Sequence, residues 1–307
     1  MDPAVLTVIG AWVIVAGATV GSFLNVVIAR VPAGESIVSP RSRCPGCAAP
    51  IAWYDNVPVV SWLVLRGRCR RCGARISPRY LLVELLGAAA AWLAWQRHGL
   101  GLAALAELAF VDVLIALAFI DLATWLLPNV LTRPLVVAGL AAAALGAARA
   151  PSLRSSLLGA ALGYGAFAAV AWVGKLLAKR EAMGTGDVWL LAGMGAWLGA
   201  GALVPVVLLA SVQGSLYGLL LVVLGRAQPG PQPAPDASPQ PAPDASPQPA
   251  HDASAEATPR PEVASDEDWV PPRYAVPFGP FLVAGALEWL YLSAWLGARL
   301  PGLDVFG

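Results

Sequence analysis

The sequence predicts an all-α polytopic membrane protein with about eight transmembrane helices and a small cytoplasmic zinc-ribbon-like loop domain. Three observations carry that prediction. Hydrophobic residues make up 58% of the chain against 13% charged ones, and the mean hydropathy of +0.67 lies outside the range of soluble domains. Several apolar runs approach the ~20 residues a helix needs to cross the hydrocarbon core. All four cysteines fall in one short arginine-rich stretch.

The apolar runs place spans at 4–28, 81–97, 101–120, 131–149, 155–177, 187–201, 203–225 and 277–298. The first has no basic residue before it and is longer than a signal-peptide core, so it reads as a retained helix. Between Arg30 and Arg79 stand nine arginines and only two acids, Glu35 and Asp55. The positive-inside rule puts that loop in the cytoplasm and the N-terminus outside. Counting forward, the Asp121–Arg133 connection, the "KLLAKREAMGTG" connection and the long 226–276 connection also face the cytoplasm. The chain thus divides into a first transmembrane helix (1–29), a cysteine-bearing loop domain (30–80), a transmembrane core (81–226), a Pro-rich insertion (227–272) and a last helix with its tail (273–307).

The insertion is a different material. "PQPAPDAS" occurs at 231–238 and 239–246 and returns as "PQPAHDAS" at 247–254. With almost nothing to bury, it reads as a disordered or polyproline-like linker.

Cys44 and Cys47 form "CPGC", and Cys69 and Cys72 form "CRRC". Two matched C-x2-C units present four thiolates to a structural zinc ion, with a redox pair or free thiols as the alternatives. Cytoplasmic placement argues against disulfides. Arg66, Arg68, Arg70, Arg71 and Arg75 crowd the second unit, and topology together with anionic headgroups explains that charge. The bilayer is therefore the expected partner of this surface, and nucleic acid is not.

Acids inside apolar spans are expensive and point to function by default. Glu84, Asp112 and Glu288 read as accessory, each pairing within the bundle. Asp121 and Asp187 differ, because the topology brings both to one cytoplasmic membrane edge. Two carboxylates that approach each other do not both ionise: one keeps a proton while the other acts as base, as in aspartic proteases. Gly184 and Gly186 precede Asp187; lacking Cβ atoms and free to take positive φ, they are expected to position an extended substrate near it. A proton-coupled transporter would instead show repeats and acids near the midplane. A tethered zinc-ribbon interaction module would leave both aspartates unused.

The ordered stretches "GSFLNVVIARVP", "PRSRCPGC", "WYDNVPVVSWLVLRGRCRRC", "ISPRYLLVELL", "FIDLATWLLPN", "MGTGDVWLLA" and "VPFGPFLVAG" resemble the successive motifs of type IV prepilin peptidases, the bacterial GxGD membrane aspartic proteases. The resemblance spans nearly the whole chain outside the insertion. It implies a bacterial inner-membrane enzyme that removes the leader of type IV prepilins and type II secretion pseudopilins, with Asp121 and Asp187 as the catalytic pair. It also implies N-methylation of the new N-terminus with S-adenosylmethionine, an activity associated with the cysteine-bearing loop. No G-x-G-x-x-G loop marks a site for that cofactor. Two positions depart from the pattern: Trp189 stands where a lysine is usual, and Asn129 where an acid is usual after Leu-Pro. Removing Pro231–Ser254 is expected to leave leader cleavage intact, measured on a co-expressed prepilin. A deletion protein that inserts but no longer processes would make the repeat a docking element.

Overall fold

A computed structural model describes residues 2–178, 184–225 and 276–299, and the repeat insertion lies outside them. The described residues form nine α-helices: α1 (Pro3–Arg30), α2 (Val60–Val64), α3 (Pro78–His98), α4 (Leu102–Thr124), α5 (Asn129–Ala144), α6 (Leu153–Ala178), α7 (Thr185–Leu198), α8 (Leu203–Val223) and α9 (Gly279–Arg299). Four helices, Pro3–Arg30, Leu102–Thr124, Leu153–Leu177 and Ala200–Val223, are long and apolar enough to cross a membrane, and Asn129–Ala144 is a shorter apolar one. By contact pattern the chain forms two units, Met1–Gly214 with Pro277–Gly307, and Ser215–Val276. Of the second, the described part is the end of α8, the residues up to Gly225, and Val276.

Local chemistry sets the helix ends. Asp2 caps α1, its Oδ1 accepting from the Ala4 amide at 2.8 Å, and Pro3 sits in the first turn, where its missing N–H is not needed. Ser77 and Pro78 repeat that device at α3. Gly99 and Gly199 close α3 and α7 with positive φ, and Trp125 takes the left-handed conformation after α4.

Helix packing in the first unit runs through small residues. A Cβ built on Gly17 would stand 2.5 Å from the Gly87 carbonyl, and one on Gly159 would fall on the Gly195 carbonyl. Without a hydrophobic force between helices in lipid, such backbone-to-backbone approach is what gives association its dispersion energy. Phe110, Leu114, Leu117, Ile120, Leu190, Met194 and Leu282 belong to one buried apolar core. At the far ends of α3 and α4 a polar clasp ties three helices. Arg97 donates to the Leu290 carbonyl at 3.0 Å, and His98 Nε2 lies 2.9 Å from Glu107. Replacing Gly159 with Leu should lower stability by about 1–3 kcal/mol through overpacking. Gly165→Leu, in open space on the same helix, should not. Thermal unfolding in detergent reads both.

Candidate active site

Asp121 sits in the last turn of α4 and is 5% exposed. The C-terminal end of a helix is the unfavourable end for a carboxylate. The compensating donor comes from the start of another helix: the Gly279 amide donates to Asp121 Oδ2 at 3.0 Å, in a buried setting. Only glycine permits this approach, since a Cβ at 279 would lie 2.5 Å from that oxygen. A charge-assisted bond of this kind contributes roughly 1.5–3 kcal/mol.

Asp187 occupies the first turn of α7 and is partly buried. It lies within electrostatic range of Asp121. The α4–α5 connection holds them together. Gly186 is buried under Leu127, and a Cβ there would collide with the Leu127 carbonyl. Asn129 Nδ2, at the head of α5, lies 3.4 Å from Thr185 Oγ1. Neither glycine uses the positive φ expected of it: Gly184 is extended at φ −68° and ψ 146°, and Gly186 is helical. Gly186 packs the connection onto α7, while Gly184 stays exposed, with Asp187 Oδ2 at 3.7 Å from its Cβ position. Around the departing position, the Arg133 guanidinium stands 5.4 Å from the centre of the Trp189 ring, and Tyr164 packs edge-on to it at 4.9 Å. A cation from α5 thus stands beside Trp189.

The three accessory acids divide. Glu288 accepts from Gln213 Nε2 at 2.8 Å. Asp112 is 5% exposed, and its Oδ1 has no hydrogen-bond partner. Glu84 accepts the Val59 amide at 2.7 Å, and Val59 holds φ at +63°, an outlier for a β-branched residue. Strain of that kind costs about 1–3 kcal/mol, comparable with the roughly 1.5–3 kcal/mol of a hydrogen bond to a charged acceptor. Glu84 therefore pins the turn that leads into α2.

The four cysteines form two matching knuckles. Cys44 N donates to Ala49 O at 2.9 Å, and Cys69 N to Ala74 O at 2.8 Å. Single antiparallel bridges, Arg43 with Pro50 and Arg68 with Arg75, close each one. Ala48 and Gly73, each four residues past the first cysteine of its unit, both take positive φ. All four sulfurs lie within 4.8 Å of one another, and Cys44 Sγ is 3.7 Å from Cys72 Sγ. A tetrahedral site with metal–sulfur bonds of about 2.3 Å has edges of about 3.8 Å, so the cluster fits a metal ion. The Cys72 amide and then the Arg71 amide bring the Cys69 thiol down to about 6, while at Cys72 the lowering by the Ala74 amide is outweighed by hydrogen bonding with Cys47 and by burial, which push that thiol up to about 11.

Residues 15–98 match the bacterial peptidase A24 N-terminal domain, and residues 108–219 match the type IV leader peptidase family. The chain is 42% identical to the prepilin leader peptidase/N-methyltransferase of Myxococcus xanthus (strain DK1622), over 94% of this chain and 91% of that one. The chain belongs to the type IV leader peptidase family. It is also 42% identical to the Aeromonas hydrophila prepilin leader peptidase/N-methyltransferase, over 67% of this chain and 78% of that one. The Klebsiella pneumoniae protein of the same name is 45% identical, over 66% and 90%. No solved structure matches.

Within this family member the N-terminal match holds the four cysteines and Glu84, and the second match holds both aspartates. Gly279 lies beyond both. Sequence reasoning gave Gly279 no role, although the Gly-Pro pair opening the last apolar span is a helix-start signal. It also passed over Arg133, whose partner Trp189 is remote in sequence.

Proposed function

We propose that this chain is a multi-pass inner-membrane aspartic endopeptidase that removes the leader from type IV prepilins and type II secretion pseudopilins at the cytoplasmic face. The new N-terminus is then methylated by the same chain. One observation supports the peptidase reading above others: Asp121, from the end of α4, is held by the first amide of α9, and Asp187, from the start of α7, lies within its electrostatic range. The relatives' names carry both activities.

In this reading one aspartate holds a proton and the other takes one from water. As the hydroxyl oxygen bonds to the scissile carbonyl carbon, the protonated aspartate donates to the carbonyl oxygen. Collapse of the tetrahedral adduct breaks the C–N bond: the leaving amine takes a proton from the aspartate that acted as base, and a hydroxyl proton of the adduct returns to the aspartate that acted as acid. Gly279 fixes Asp121 Oδ2 throughout, leaving Oδ1 for proton exchange. The exposed Gly184 leaves room for the substrate backbone beside Asp187.

The metal bound by Cys44, Cys47, Cys69 and Cys72 is zinc in this reading, with a structural role. S-adenosylmethionine supplies the methyl group. An open groove at the foot of the second knuckle is lined by Trp62, Arg66, Arg68 and Arg75 among others. The indole suits an adenine face, and an arginine fork suits a carboxylate.

Asp121→Asn and Asp187→Asn should each abolish cleavage of a co-expressed prepilin while the protein still inserts. Gly279→Ala, which drives a methyl group against the carboxylate, should reduce cleavage about 10²-fold or more. Near-normal processing by any of the three would overturn the dyad. Purified protein should hold about one zinc per chain, and Cys72→Ser should lower it. Elemental analysis without zinc would leave free thiols.

A further inference from the structure

We infer that Asn25 and Glu84 form a receiving site for a primary α-ammonium group, the N-terminus freed by cleavage, and that Glu84 removes its proton. The inference rests on the methyl-transfer reading above and names the acceptor side of that reaction. Asn25 is 3% exposed. Its Nδ2 lies 3.1 Å from the Tyr80 carbonyl and 3.4 Å from the Gly21 carbonyl. Both partners are acceptors, so the amide orientation is fixed, and Oδ1 is left buried without a donor. Such an orphan acceptor asks for an N–H or O–H from outside the described residues.

Glu84 adds a second acceptor, a carboxyl group. It accepts one described hydrogen bond, from the Val59 amide, and no ion pair reaches it among the described residues. The two side chains belong to one place. Tyr80 stands one turn before Glu84 on α3, so the carbonyl bonded to Asn25 is the one the helix ladder pairs with the Glu84 amide. A Cβ on Gly21, one turn before Asn25, would lie 2.7 Å from Glu84 Cα. Neither oxygen is ion-paired among the described residues, and an ammonium, which carries donors and no acceptor, matches such a pair of acceptors.

Position supports the same assignment. Val59, bonded to Glu84, lies three residues before Trp62, which lines the groove at the foot of the second knuckle. α3 runs from Glu84 to His98, and α4 returns from Leu102 to Asp121. At 1.5 Å per residue these legs are ~21 and ~28 Å long, so Glu84 and Asp121 stand near the same end of the bundle. Methyl transfer needs the neutral amine. When Glu84 takes the proton, the N–H electron pair stays on nitrogen as the lone pair that would form the new C–N bond, while the methyl–sulfonium C–S bond breaks and its electron pair leaves on the thioether sulfur.

Two blander readings compete: an ordered water satisfies Asn25, and Glu84 only pins Val59. Glu84→Gln separates them, because glutamine keeps an acceptor for the Val59 amide and loses the charge. In bilayer nanodiscs with a prepilin and S-adenosylmethionine, the variant should cleave at the wild-type rate, within about twofold, and bind S-adenosylmethionine unchanged. Its methylation should fall about 10²- to 10⁴-fold, the usual worth of a positioned base. A peptide copying the mature pilin N-terminus should bind wild type more tightly with a free amine than when acetylated, and Glu84→Gln should lose that preference. Wild-type methylation by Glu84→Gln, or equal binding of free and acetylated peptide, would overturn the assignment. Wild-type protein that cleaves but never methylates would sink the methyl-transfer reading instead, and this site with it.

Discussion

The hydrogen bond from the Gly279 amide to Asp121 Oδ2 joins residues 158 positions apart, and the proposed catalytic pair depends on it. A carboxylate in the last turn of α4 faces the negative end of its own helix. The first amide of α9 supplies the donor that makes this burial tolerable. Asp187 needs no such help, because it stands in the first turn of α7, at the favourable end. Three helix ends thus meet at two acids. The start of α9 is tied to the end of α4 by this bond.

The same logic of close backbone approach recurs away from the acids. Gly186 lets Leu127 lie on α7, and the Gly159–Gly195 seam lets α6 and α7 touch. In a bundle that gains little from the hydrophobic effect between helices, these contacts fix the register that brings Asp121 and Asp187 level. The loop domain is held differently, by polar bonds: Asp55 with Arg70 at 2.7 Å beside the second knuckle, and Glu84 with Val59 at the bundle's edge.

Much of this was legible in the residues. Apolar runs gave the long helices, and paired C-x2-C units gave a cluster whose sulfurs lie within 4.8 Å. A count of spans put both aspartates at one edge. The glycine rule misled in its reason: Gly184 and Gly186 keep ordinary negative φ, and what matters at Gly186 is the absent Cβ. Sequence periodicity reports which residues share a helix face, but not which backbone amide from a distant helix reaches a side chain. Gly279, the Val59 turn and the Arg133–Trp189 contact stayed hidden for that reason. The short α2 was missed as well, since five residues between turns carry no periodic signal.

The central claim is that Asp121 and Asp187 act as one unit sharing a proton. Its most direct test is the pH profile of kcat/KM for leader cleavage by purified protein in a bilayer. A pair in which one acid must be ionised and its partner protonated gives a bell with two limbs, each belonging to the pair. A profile that rises through a single ionisation and then stays flat would contradict the shared-proton dyad and leave one aspartate acting alone.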